Sequence, residues 1–198
     1  MNILNIQINS NEYLLYIIDH INYSSYEHTL DKIKICDENI ISDSYESLSY
    51  KSLQFEGYIG YFLSNTEKTT IYTSAIIDLN CSQIRDKIPS YDFNYSFEIV
   101  LLCSNVMSRV KGLTSFLMKK IINYFIHNGT YEHIYLYVAK GAAKTFYEKL
   151  GFTELLEYPN IMVYNKRTGG KKFRKKKSNK TKKNKKRMKR RIKTSKIK

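Results

Sequence analysis

The chain has 198 residues, enough for one domain with a core of its own, and its 33 Lys/Arg against 18 Asp/Glu give a formal charge of +15. Residues 166–198 hold 20 of the basic residues and none of the acids, so residues 1–165 carry 13 basic and 18 acidic residues, a net of −5. Three widely spaced cysteines with no Cys-x-x-Cys pair, no signal pattern and no run of ~20 apolar residues argue against a disulfide framework, a metal site and a membrane span, and predict a soluble, intracellular, cytoplasmic protein.

Ile3, Ile6 and Ile8 alternate with polar residues, which predicts a short opening strand. Asn11 is placed to cap a helix over residues 12–23, with Leu14, Leu15, Ile17, Ile18 and Ile21 on its apolar face. Residues 24–50 are polar and poorly periodic, with a short helix expected over 30–35. Strands are predicted at 57–63 and 70–79, forming an antiparallel hairpin, and residues 80–95 read as a polar excursion containing Pro89. Phe97–Cys103 is the most apolar strand and the expected central one.

A helix follows over residues 111–127, with Leu113, Phe116, Leu117, Ile121, Tyr124 and Phe125 at helical spacing and Asn128-Gly129 closing it. Ile134, Leu136 and Val138 mark a strand at 133–138. A second helix over 141–150 stops at Gly151, and a closing hairpin is expected around Pro159-Asn160. This order predicts a single α/β domain over residues 1–165, with a mixed, mostly antiparallel central sheet flanked by helices. Low hydrophobicity and like charge predict a disordered tail over residues 166–198.

Two segments carry chemistry. Arg109-Val110-Lys111-Gly112-Leu113-Thr114 opens the long helix after the central strand. A helix start offers unpaired N–H groups and about half a positive charge, which suits a diphosphate. Gly112 allows close approach to the backbone, and Arg109 and Lys111 add charge. Read without that setting, Arg-x-x-Gly is a basic helix start before a core-facing stripe. The second segment is Lys140-x-x-Ala143-x-x-x-Tyr147-x-x-x-Gly151-Phe152, with Phe146-Tyr147-Glu148-Lys149-Leu150-Gly151-Phe152 unbroken. Its plain reading is an amphipathic helix with a glycine cap.

Together, at this separation, the two segments resemble the cofactor-handling segments of the GNAT N-acetyltransferase superfamily. The phosphate pattern there is Arg/Gln-x-x-Gly-x-Gly/Ala, so Thr114 stands where Gly or Ala is usual. The second pattern begins with Asn, a frequent pantetheine contact, and here has Lys140.

The resemblance implies acetyl-CoA in a V-shaped gap between the central strand and the strand at 133–138. Leu102, Cys103 and Ser104 would offer backbone groups to pantetheine and the acetyl carbonyl. An amine acceptor would attack directly, without an acyl-enzyme. Tyr147, with an ordinary pKa of ~10, would protonate the departing thiolate. Glu98 has two readings, a base for the amine or a carboxylate facing solvent at a strand edge. Cys103 reads as a small core residue, since no histidine is near it in sequence.

The tail suits sequence-independent binding to nucleic acid phosphates and contains a nuclear-localisation-like run, Lys171–Lys177. Together with the Ile/Asn/Lys/Tyr bias, it is similar to tails on proteins of large DNA viruses. The competing reading is therefore a catalytically inactive GNAT-fold protein tethered to nucleic acid through residues 166–198, a packaging or virion component with a nuclear or virion location.

Overall fold

The computed structural model describes residues 2–33, 36, 43–105, 110–138 and 142–166. The expected tail from 167 on, Arg109 and Lys140 therefore lie outside the described residues, as does most of the 34–42 stretch. Eight strands form one sheet: β1 (Asn2–Ile8), β2 (Asn11–Asp19), β3 (Tyr58–Asn65), β4 (Ile71–Asp78), β5 (Ser96–Ser104), β6 (His133–Tyr137), β7 (Thr153–Leu155) and β8 (Tyr158–Asn165). They lie in the order β1-β2-β3-β4-β5-β6-β8-β7. Every adjacent pair is antiparallel except β5 and β6, which run parallel.

The predicted helix over residues 12–23 is corrected to β2. Asn9 and Ser10 both take positive φ (48° and 70°) and close a two-residue hairpin with β1, with Ile8 opposite Asn11. Tyr13, Leu15 and Ile17 pack on one face of the sheet, Tyr16 and Ile18 on the other. Burial on both faces removes the polar alternation that marks a strand, and the remaining apolar run imitates a helix. Ile21, assigned to the helix's apolar face, is exposed.

Three further differences follow from local chemistry. Helical turns in the first loop are α1 (Glu27–Leu30), ahead of the predicted 30–35, and α2 (Asp43–Lys51), which buries Glu46 and Tyr50. The 80–95 excursion contains α3 (Ser82–Lys87), which buries Ile84 and is followed by buried Ile88. The last hairpin turns at Leu156-Glu157, because Tyr158, Pro159 and Asn160 already belong to β8.

The two remaining helices match their sequence signals. α4 (Leu113–Ile122) buries Leu113, Leu117, Met118, Ile121 and Ile122, then widens into a π-helical turn over Asn123–His127. α5 (Ala142–Leu150) ends at Gly151, whose φ of 101° is the left-handed exit that glycine allows. Both pack on the sheet face lined by Leu63, Ala75, Ile77, Phe97 and Ile99. The opposite face is covered by the α1–α2 region over Phe62, Ile76, Leu101 and Cys103. α3 closes a smaller apolar cluster on Tyr135 and Ile161.

Candidate active site

The only parallel junction in the sheet is incomplete. Among the described residues β5 pairs with β6 from Ser96–His133 to Ile99–Leu136 and no further, yet β5 runs five more residues to Ser104. On its other edge it stays paired with β4 as far as Thr73–Ser104. Within that pairing Ile76 faces Leu101 and Ile77 faces Ile99, so Val100 is the extra residue of a β-bulge. The bulge falls where β6 lets go, and it reverses which residues point to which face. Phe97, Ile99 and Leu102 face α4 and α5, whereas Leu101 and Cys103 face α2. Ser104, at the strand end, is exposed.

α4 follows β5 in the chain, and its first residue, Leu113, packs in the same apolar cluster as Ile99 and Leu102. Gly112 precedes its first residue at φ 90°, a left-handed conformation that side chains other than glycine rarely adopt. No side chain caps the helix, and the first helical bond runs from Phe116 N–H to Gly112 O. The N–H groups of residues 113–115 thus lack intrahelical partners. No atom lies within 4 Å of where a Cβ on Gly112 would stand, so the space over the helix start is open. Val110 and Lys111 are exposed and Thr114 half-buried. Open N–H groups, a glycine and a lysine fit an anion such as a diphosphate.

Tyr147 on α5 belongs to the same core face as Leu113, Leu117 and Val138 and is 8% exposed. Its ring meets Phe146 and Phe152 edge-on, with centroids 5.2 Å and 5.7 Å away. Burial pushes the phenol well above its ordinary range, a departure from the value of ~10 expected from sequence. It stays protonated at neutral pH. Ala143, one turn earlier on α5, is exposed.

Glu98 does not face solvent: it is 2% exposed. It lies opposite Tyr135 in the paired part of β5, pointing to the face away from Tyr147. Its Oε2 accepts the Ile84 N–H at 2.9 Å. Burial raises it to about 7, a rise opposed by that N–H, reinforced by the Asp78 carboxylate and opposed by Lys87. Asp78 in turn accepts the Ser82 N–H at 2.8 Å and the Ser82 hydroxyl.

Sequence reasoning missed Tyr45, whose hydroxyl donates to Val100 O, the bulge carbonyl, at 3.2 Å. Burial, then the charge on Glu98, raises this phenol too. Only its place on the unrecognised α2 would have signalled it. Cys103 is also corrected: it is disulfide-bonded to Cys36, against the expectation of unpaired thiols. Cys81 is the free cysteine among the described residues, and it is buried.

No protein-family model matches the sequence, and no curated protein matches it. Solved structures do share the architecture. An uncharacterized protein from Bacillus halodurans aligns with 84% of this chain and 92% of its own at TM-score 0.57 and 11% identity. AtaT complexed with acetyl-methionyl-tRNAfMet aligns over 79% and 96% at TM-score 0.54 and 14% identity. The ribosomal-protein-S18-alanine N-acetyltransferase from Escherichia coli aligns over 77% and 93% at TM-score 0.50 and 16% identity. At these identities the likeness concerns the fold alone, which this chain shares with the S18-alanine N-acetyltransferase and AtaT.

Proposed function

We propose that the protein is an acetyl-CoA-dependent N-acetyltransferase that transfers the acetyl group directly to an amine. The observation that carries this is a conjunction on one face of the sheet: among the described residues the pairing of β5 with β6 ends at Ile99, and α4, whose Leu113 packs in the same cluster as Ile99, begins without a side-chain cap at Gly112. The same face of the sheet holds Tyr147.

Bound there, acetyl-CoA supplies an acetyl thioester and a thiol leaving group. The N–H groups of residues 113–115, with Lys111 and, from the sequence, Arg109, hold the diphosphate. Val110 and Thr114 would flank that seat, and Ala143 on α5 would flank the pantetheine arm, with Lys140 assigned there from the sequence. Leu102 and Ser104 would give backbone groups on the β6 edge beyond the described pairing, whereas Cys103, also assigned here from the sequence, has its carbonyl engaged by the Thr73 hydroxyl on the β4 side.

Glu98 and Tyr147 lie on opposite faces of the sheet, so a proton passing from the acceptor to Glu98 would travel through water. Glu98, titrating near 7, takes the proton from the ammonium of the acceptor on the α3 side. Tyr147 holds its hydroxyl proton toward the leaving sulfur on the α5 side.

Calorimetry with acetyl-CoA tests the binding step, and turnover of Tyr147→Phe tests the chemistry. The variant is expected to keep the wild-type affinity and lose roughly 10²-fold in turnover, the usual scale for a positioned proton donor. An unchanged rate would take Tyr147 out of the mechanism. No heat of binding in the wild type would favour the inactive, nucleic-acid-tethered reading, which rests on the 20 cations of residues 166–198.

A further inference from the structure

Past Ile99, among the described residues, β5 is paired with β4 alone, and Cys103 sits in that stretch. We propose that the Cys36–Cys103 pair is a redox site, reduced by a small dithiol, that fixes the open half of β5 and so sets the affinity of the adjoining cleft. The link to the cleft rests on the acetyl-CoA reading above, whereas the redox site does not.

The surroundings of the pair are built for it. The Cα atoms are 5.0 Å apart, within the span a disulfide bridges without moving the backbone. Cys36 N–H donates to both carboxylate oxygens of Glu46 at 3.3 Å. Glu46 is itself buried and accepts the Tyr50 hydroxyl at 2.6 Å. On the other side, the Thr73 hydroxyl donates to Cys103 O at 2.6 Å. A carboxylate on α2 and a hydroxyl on β4 thus hold the two cysteines facing each other, and the bond ties residue 36 to the strand that borders the opening.

The two sulfurs are not equivalent. Cys103 is buried among the cluster of Tyr50, Phe62, Ile76 and Leu101, while Cys36 is half-buried. A dithiol reductant therefore attacks Cys36 Sγ, and the Cys103 thiolate leaves and takes a proton. The second thiol of the reductant then displaces Cys36 as a protonated thiol, giving a cyclic disulfide. Two electrons pass from the dithiol to the protein, and two protein thiols result. Cys81 does not compete in this exchange. It is fully buried, and burial together with Glu98 and Asp78 pushes its thiol up to about 12.

The test uses the full chain equilibrated with oxidised glutathione or with dithiothreitol, measuring thiols after denaturation, thermal unfolding, and calorimetric affinity for CoA. One free thiol is expected in the oxidised chain and three in the reduced one. Reduction should lower Tm by on the order of 10 °C, since the pair closes a long loop, and raise the CoA Kd roughly fivefold. Cys36→Ser should match the reduced chain and ignore the oxidant. Three free thiols in the oxidised chain overturn the proposal, as does one free thiol with Tm and Kd indifferent to reduction. If CoA binds neither form, the acetyltransferase reading falls, and thiol count and Tm still decide the redox site.

Discussion

Glu98 shows what burying one carboxylate does to the whole domain. Its folded pKa of about 7 stands above the ordinary 4.5, so between those values the folded chain binds more protons than the unfolded one. Stability is therefore full below about pH 4.5 and declines as pH rises through 7, by roughly 3 kcal/mol in all. Glu98→Gln keeps an oxygen for the Ile84 N–H and removes the titration. Denaturant melts from pH 4 to 8 should show the wild type losing stability relative to Glu98→Gln over that window. In turnover, the wild type should show an ascending limb with a midpoint near 7 that the variant lacks. Parallel pH–stability curves for the two chains would place the Glu98 titration elsewhere. The helix start at Gly112 and the stop at Gly151 were legible beforehand because capping signals are local, whereas the roles given to Gly112 and Tyr147 came from the family resemblance. The Cys36–Cys103 bond was not legible, since residues 67 apart in sequence meet only through the packing of α2 against β5. The depth of Glu98 had the same origin, because α3, which covers it, was hidden in a polar stretch.

At the scale of elements, helix and strand signals competed wherever a segment was buried on both sides. β2 lost its alternation to two-sided burial and was decided by Asn9 and Ser10, whose positive φ values make a hairpin. Strands β3, β4 and β5, and helices α4 and α5, kept the periodicities their environments demand. α4 matters most for function, because its start must serve both as a fold element and as an open anion seat. Gly112 satisfies both through its φ of 90° and the empty space above it. Asn and Asp are nearly the same size and tolerate the left-handed region better than other side chains, so comparing Gly112→Asn with Gly112→Asp isolates charge. The aspartate variant should bind CoA at least about tenfold more weakly than the asparagine variant, because its carboxylate occupies the positive helix end. Equal losses would move the diphosphate away from α4.

For the molecule as a whole, charge is the organising fact. A domain of net −5 is joined after β8 to a stretch whose 32 residues, 167–198, carry 19 Lys/Arg and no acid. The net negative charge of the domain opposes a duplex, so attraction to DNA is expected through those residues. Each phosphate neutralised releases counterions, and log Kobs falls with log salt by ~0.9 per contact on B-DNA. If about half of the cations engage, the slope is roughly −9, steep enough to abolish binding over a modest rise in salt. Aromatic side chains are nearly missing from the tail, Phe173 standing alone, so base stacking adds little and the affinity should be blind to sequence. Residues 2–166 contain the complete sheet and its apolar clusters, so truncation after Lys166 should keep the melting temperature and CoA affinity while removing DNA binding. A shallow salt slope, or equal DNA binding by the truncated chain, would shift the interaction from the tail to the folded surface. Loss of CoA binding on truncation would instead make the basic segment part of the cofactor site.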